Sequence, residues 1–171
     1  MRFPSLSLPR VLSLLGGFGL LTAFFMPWFS SQNLLLSGQF LHIFLGNPGD
    51  LRRFLPGSSG SPAEAQLLRA LVDLFPACGA LAIVAALGGG LWRTARGPAN
   101  IVLGVTGAVP LVGWALGVTR LPNGANAEIG LWLIVGGALA VLVGLILDVL
   151  EARALNPRAE TDTPVQHQPW Q

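Results

Sequence analysis

Four apolar runs, at residues 11–29, 74–92, 101–119 and 129–147, constrain this chain more than any other feature, because none of them contains a charged residue. Crossing about 30 Å of hydrocarbon takes about 20 residues of helix. In lipid, each backbone N–H and C=O has to be bonded within its own segment, so a lone apolar run of this length is expected to be an α-helix. Composition points the same way. Only 11% of the 171 residues are charged and 52% are hydrophobic, with a mean hydropathy of +0.63. Soluble domains carry roughly 25% charged residues, so this chain has too little charge to coat a globule. The expected fold class is therefore all-α: an integral membrane four-helix bundle over residues 1–155. A long outer loop at 30–61 carries an interfacial segment, and 156–171 form a polar tail.

Arginine placement sets the expected direction, because basic residues near helix ends are retained on the cytoplasmic side. All ten basic residues are Arg, a usage that fits a GC-rich bacterial genome. Arg2, Arg10, Arg93, Arg96, Arg153 and Arg158 fall on one side, and Arg52, Arg53, Arg69 and Arg120 on the other. The expectation is a multi-pass protein of the bacterial inner membrane with both termini cytoplasmic. The start of the chain resembles a secretion signal, but its apolar part is long and no small-x-small site follows it, so an uncleaved first span is expected. Ser61-Pro62-Ala63-Glu64 has the pattern of an N-cap, a proline at the first helical position and a capping-box Glu. It predicts that the second helix starts near Pro62 and runs to about Trp92. Asn126 is expected to cap the fourth helix, and Asn156-Pro157 to end it.

Within the long loop, residues 34–45 are apolar but too few to span, which predicts an interfacial or re-entrant segment. The loop either caps the bundle or serves as a docking or ligand-covering lid. Trp28 and Trp132 are expected at headgroup level, where amphipathic rings collect. Both, with Trp170 in the tail sequence Gln-Pro-Trp-Gln, are possible partner contacts. Small residues recur at four-residue spacing: Ser13 and Gly17; Gly19 and Ala23; Cys78, Ala82, Ala86 and Gly90; Gly104 and Ala108; Gly113 and Gly117; Gly136, Ala140 and Gly144. Between helices in lipid such stripes allow close van der Waals approach. Pro110, mid-helix, is expected to kink the third span and free the carbonyl of Thr106.

Few side chains offer chemistry. Asp73 lies four residues after Arg69, so the two are expected to pair on one helix face near water, with a proton or ion pathway as the sharper alternative. Asp148, Glu151 and Arg153 are expected as a solvated collar, and Glu128 at the positive end of the fourth helix. His42 and His167 are the two histidines and neither falls within a span. Paired axial haem ligands on facing helices are therefore ruled out, leaving His42 as a lone candidate ligand. Cys78 is the single cysteine, which excludes an internal disulfide or dithiol chemistry. No phosphate-binding loop, zinc-ligand pair or nucleophile elbow is present, and no basic patch with interleaved aromatics suits nucleic acid. An enzyme is not expected, and neither is a cofactor or metal.

Met26-Pro27-Trp28 closing the first span, Leu36-Ser37-Gly38 in the loop and Gly130-Leu131-Trp132 opening the fourth together resemble a broad set of small bacterial four-helix membrane proteins. The resemblance implies the topology and no activity. Animal claudins also have four spans and a Gly-Leu-Trp, but theirs lies in the first outer loop beside paired cysteines, and that family is excluded. The expected function is a non-catalytic integral membrane protein, an accessory or structural subunit of a larger, energy-transducing membrane complex, with membrane lipid and other membrane subunits as partners. The alternative is a small-molecule or lipid transporter or binding protein that uses the Pro110 kink.

Overall fold

The computed structural model describes residues 7–31, 34–46, 62–91, 95–118 and 126–154. In chain order the elements are helix α1 (Leu8–Phe25), strands β1 (Pro27–Ser31) and β2 (Leu34–Ser37), helices α2 (Gly38–Phe44), α3 (Pro62–Leu91) and α4 (Arg96–Val118), strand β3 (Asn126–Ala127) and helix α5 (Ile129–Ala154). Helices α1, α3, α4 and α5 are long and apolar enough to cross a membrane. The tail with Trp170, the cap residue Ser61, and Arg2, Arg52, Arg53, Arg93, Arg120 and Arg158 lie outside the described residues.

Local chemistry explains where these helices stop. Pro27 disfavours helix in the residue before it, and Met26 is accordingly extended at φ −82°, ψ 153°, its N–H bonded back to Thr22 O. Helix α1 therefore ends at Phe25, short of the expected residue 29. Helix α3 has 30 residues, about 45 Å at 1.5 Å per residue, as the sequence predicted. It also carries Pro76 within its length.

The four long helices form an antiparallel ring in which α1 packs against α5 and α3, and α4 closes the circle between them. Small residues line these seams: Ser13, Gly17, Ala23, Cys78, Ala82, Ala86 and Gly144 of the expected stripes are buried, whereas Gly90, Ala108 and Gly136 miss the buried face by one residue. Gly136 faces open space, whereas a Cβ on Gly137 would lie 2.8 Å from Gly16 O on α1. One residue turns a helix by about 100°, so Gly137 and Gly144, seven apart, share the buried face that Gly136 misses. Likewise Gly89 is buried while Gly90 is exposed, and Gly107 is buried while Ala108 is exposed.

The stretch expected to be an interfacial segment instead begins as part of a small sheet. Strand β1 is central, antiparallel to both β2 and β3. Asn126, the expected helix cap, belongs to β3, and Glu128 stands immediately before α5. The ladder skips a residue between Pro27 and Phe29. A bulge of this kind re-aims a side chain, and here the residue between them, Trp28, is turned into the bundle with only 5% of its surface exposed. Ser37 then caps α2, accepting from Phe40 N at 3.2 Å, and α2 packs on α3.

Candidate functional site

Polar groups gather at both ends of the ring. At the sheet end, the indole Nε1 of Trp28 donates to Ala23 O at 2.7 Å, and its ring meets Phe75 edge-on with centroids 5.1 Å apart. Close approach on both flanks requires glycine. A Cβ at Gly38 would lie 2.6 Å from Trp28 Cζ2, and one at Gly130 would lie 2.6 Å from both Trp28 Cδ1 and Pro27 O. The Pro-Trp, Ser-Gly and Gly-Leu-Trp segments, scattered in sequence, thus meet around one indole. Nearby, Ser30 Oγ donates to Glu128 Oε1 at 2.6 Å, and Glu128 N donates to Trp28 O at 2.9 Å. Trp28 is therefore a buried packing centre, whereas Trp132 is 61% exposed and its ring lies 6.4 Å from that of Trp114.

His42 on α2 links the two charged residues expected to pair along α3. Its Nδ1 lies 2.5 Å from Asp73 Oδ1, and its Nε2 lies 3.0 Å from Arg69 Nη2. A guanidinium can only donate, so Nε2 is the acceptor and the ring proton sits on Nδ1, where it is donated to Asp73. Both ring nitrogens are thereby occupied, and Nε2 would have to leave Arg69 to ligate a metal. Among the described residues, no group of three His, Cys, Asp or Glu side chains converges as a metal site.

Pro110 is fully buried in α4. One turn before it, the Thr106 hydroxyl donates to Val102 O at 2.9 Å. Neither residue joins either polar cluster.

The other end holds a cluster that sequence reasoning missed. Arg10 Nη2 donates to Asp148 Oδ2 at 2.5 Å and to Asn100 Oδ1 at 2.8 Å, and Arg96 Nη2 donates to Asp148 Oδ1 at 3.3 Å. Arg10 and Asp148 are each 1% exposed, so Asp148 is no part of a solvated collar. Glu151 and Arg153, beyond it, are exposed. The guanidinium of Arg10 lies against α3, where a Cβ on Gly89 would come within 2.6 Å of Nη1. Arg10 Nε and Nη1 and Arg96 Nε have no hydrogen-bond partner. The sequence did carry a signal: Arg10 immediately precedes the first apolar run and Asp148 immediately follows the fourth. In an antiparallel pair these positions fall at matching depth with opposite charge.

Beside this cluster, α4 and α5 leave an open groove of about 440 Å³. Its wall includes Ile101, Leu145, Ile146 and Leu150, with Asn100 and Arg153 also lining it. Comparison with protein-family models, curated proteins and solved structures finds no match for the chain.

Proposed function

We propose that this is a non-catalytic integral membrane protein of the bacterial inner membrane, an accessory or structural subunit of a larger, energy-transducing membrane complex. The observation that carries the reading is how the buried polar side chains are engaged. Arg10 bonds Asp148 and Asn100, the Trp28 indole bonds a backbone carbonyl, and Ser13 and Thr106 bond carbonyls of their own helices. The Arg10 bonds tie α1 to α4 and α5 while the others stay local, and among the described residues these groups do not face a shared reaction chamber. The outward surface is apolar along all four long helices, including the exposed Phe18, Leu81, Val112 and Ile146. Such a surface suits lipid and the small-residue or aromatic faces of neighbouring membrane subunits. Arg10, Arg96 and Arg153 share one end of the ring, which supports placing both termini on the cytoplasmic side.

Extraction from native membranes in mild detergent, followed by size-exclusion and native mass spectrometry, tests this. A stable complex with other membrane subunits, weakened by Trp132→Ala, is expected. A monodisperse lone chain would sink the proposal. The groove favours a second reading, a lipid- or small-molecule-binding protein or transporter. Transport through the ring would require opening the buried packing at Thr106 and Pro110. Reconstituted flux unchanged by Pro110→Ala or Asp73→Asn would remove the transport version.

A further inference from the structure

We infer that the groove between α4 and α5 is a site for one anionic phospholipid. Its acyl chain lies along Ile101, Leu145, Ile146 and Leu150, and its phosphate is held by Arg153 and the side-chain amide of Asn100. The inference rests on the four long helices lying in a bilayer and is independent of any partner subunit. The first argument is shape and chemistry: the wall is aliphatic apart from Asn100 and Arg153, which both line it. That division matches an amphiphile and not a free inorganic anion.

The second argument is the fixed orientation of Asn100. Its Oδ1 accepts from the buried Arg10, so the amide NH2 is the group left to donate outward. A phosphate oxygen can accept that bond; phosphatidylglycerol and phosphatidylcholine both offer one, so the preference for an anionic lipid rests on charge.

The third argument is charge. Arg153 in the last turn of α5 makes no ion pair among the described residues. Arg96 stands one helical turn before Asn100 and is 39% exposed, with Nη2 on Asp148. Among the described residues at this end, Arg10, Arg96 and Arg153 stand against Asp148 and Glu151, a surplus of positive charge beside the apolar wall. Guanidinium groups favour phosphate oxygens through charge-assisted hydrogen bonds.

The full-length protein in non-ionic detergent can be titrated with phosphatidylglycerol and, separately, with phosphatidylcholine of the same chains, counting bound lipid by native mass spectrometry. Phosphatidylglycerol should be retained about fivefold better, the factor expected of one Arg at an anionic lipid surface. Arg153→Gln, at an exposed position, should remove that preference without changing the unfolding temperature. Ile146→Trp keeps the charge but fills the wall, and should lower retention of phosphatidylglycerol. Inorganic phosphate should not compete. Equal retention of the two lipids, an unchanged preference in Arg153→Gln, full retention in Ile146→Trp, or competition by inorganic phosphate would each overturn the assignment. Loss of lipid preference while a partner complex persists would separate this site from the accessory role.

Discussion

Replacing Asp148 with Leu should be among the most damaging single changes available to this fold, and the structure says why. Arg10 is 1% exposed and already has Nε and Nη1 without partners. Once the carboxylate is gone, only Asn100 Oδ1 remains on Nη2, and the packed backbone at Gly89 leaves the guanidinium no route to water. Breaking a buried ion pair from one side costs about 3–5 kcal/mol. The partners should not be equivalent. Arg10→Met leaves Asp148 its bond from Arg96 at 3.3 Å, so the loss should fall to about 1–3 kcal/mol, the cost of an under-satisfied buried group. Arg96 is 39% exposed and can turn to solvent, so Arg96→Gln should cost no more than about 1 kcal/mol. Replacing both buried partners, Arg10→Met with Asp148→Leu, removes charge on both sides and should restore stability to near or above the starting value. Reversible unfolding in mixed micelles, run as a double-mutant cycle, measures all four. Additive losses, or an Asp148→Leu variant as stable as the parent, would refute the account of Arg10 as a charge held by its partner.

Three further outcomes are expected. Gly144→Ala, whose Cβ would lie 2.6 Å from Pro9 O, should destabilise the α1–α5 seam, whereas Gly136→Ala, facing open space, should be neutral or gain up to about 1 kcal/mol of helix propensity; thermal unfolding of the two compares them directly. Trp28→Phe should lose about 1–3 kcal/mol, because Ala23 O gives up its 2.7 Å donor and the smaller ring leaves a gap against Phe75; Trp132→Phe, at an exposed position, should lose less than about 0.5 kcal/mol in the same assay. His42→Ala removes the link from α2 to Asp73 and Arg69, so amide exchange across Gly38–Phe44 should accelerate while that of α5 stays unchanged; uniform acceleration through the bundle would contradict a local latch.

The long helices were legible because length and freedom from charge are local properties of a segment. The start of α3 at Pro62 was readable from a different local signal, the capping pattern Ser61-Pro62-Ala63-Glu64, and its end near Leu91 from the charge-free run that closes there. What escaped depends on partners far away in the chain. The stripe on α5 was right at Gly144 but began at Gly136 in place of Gly137, because a four-residue spacing does not say which of the two faces a neighbour. Strand β1 escaped because a residue run closing an apolar span looks like more span until its ladder partners, residues 34–37 and 126–127, are known. Asp73 was picked out, but its bond to His42 spans 31 residues and two elements, so α3 alone suggested Arg69 as the direct partner. Arg10 and Asp148 were set aside because each sits one residue outside a charge-free window.

The bond from Arg10 to Asp148 joins positions 138 residues apart, and that separation is also a delay. A ribosome adding about 5–20 residues per second needs roughly 7–28 s to make the intervening chain. Throughout that interval the first helix carries an unaccompanied cation at its leading end, where hydrocarbon would penalise it. In a bilayer the newborn segment would have to keep that end in the wet headgroup zone, or under the shelter of the insertion machinery, until α5 arrives. If the long helices span a bilayer, full seating of the opening helix waits for the synthesis of α5, and a chain cut before α5 would be left with its first anchor unsettled.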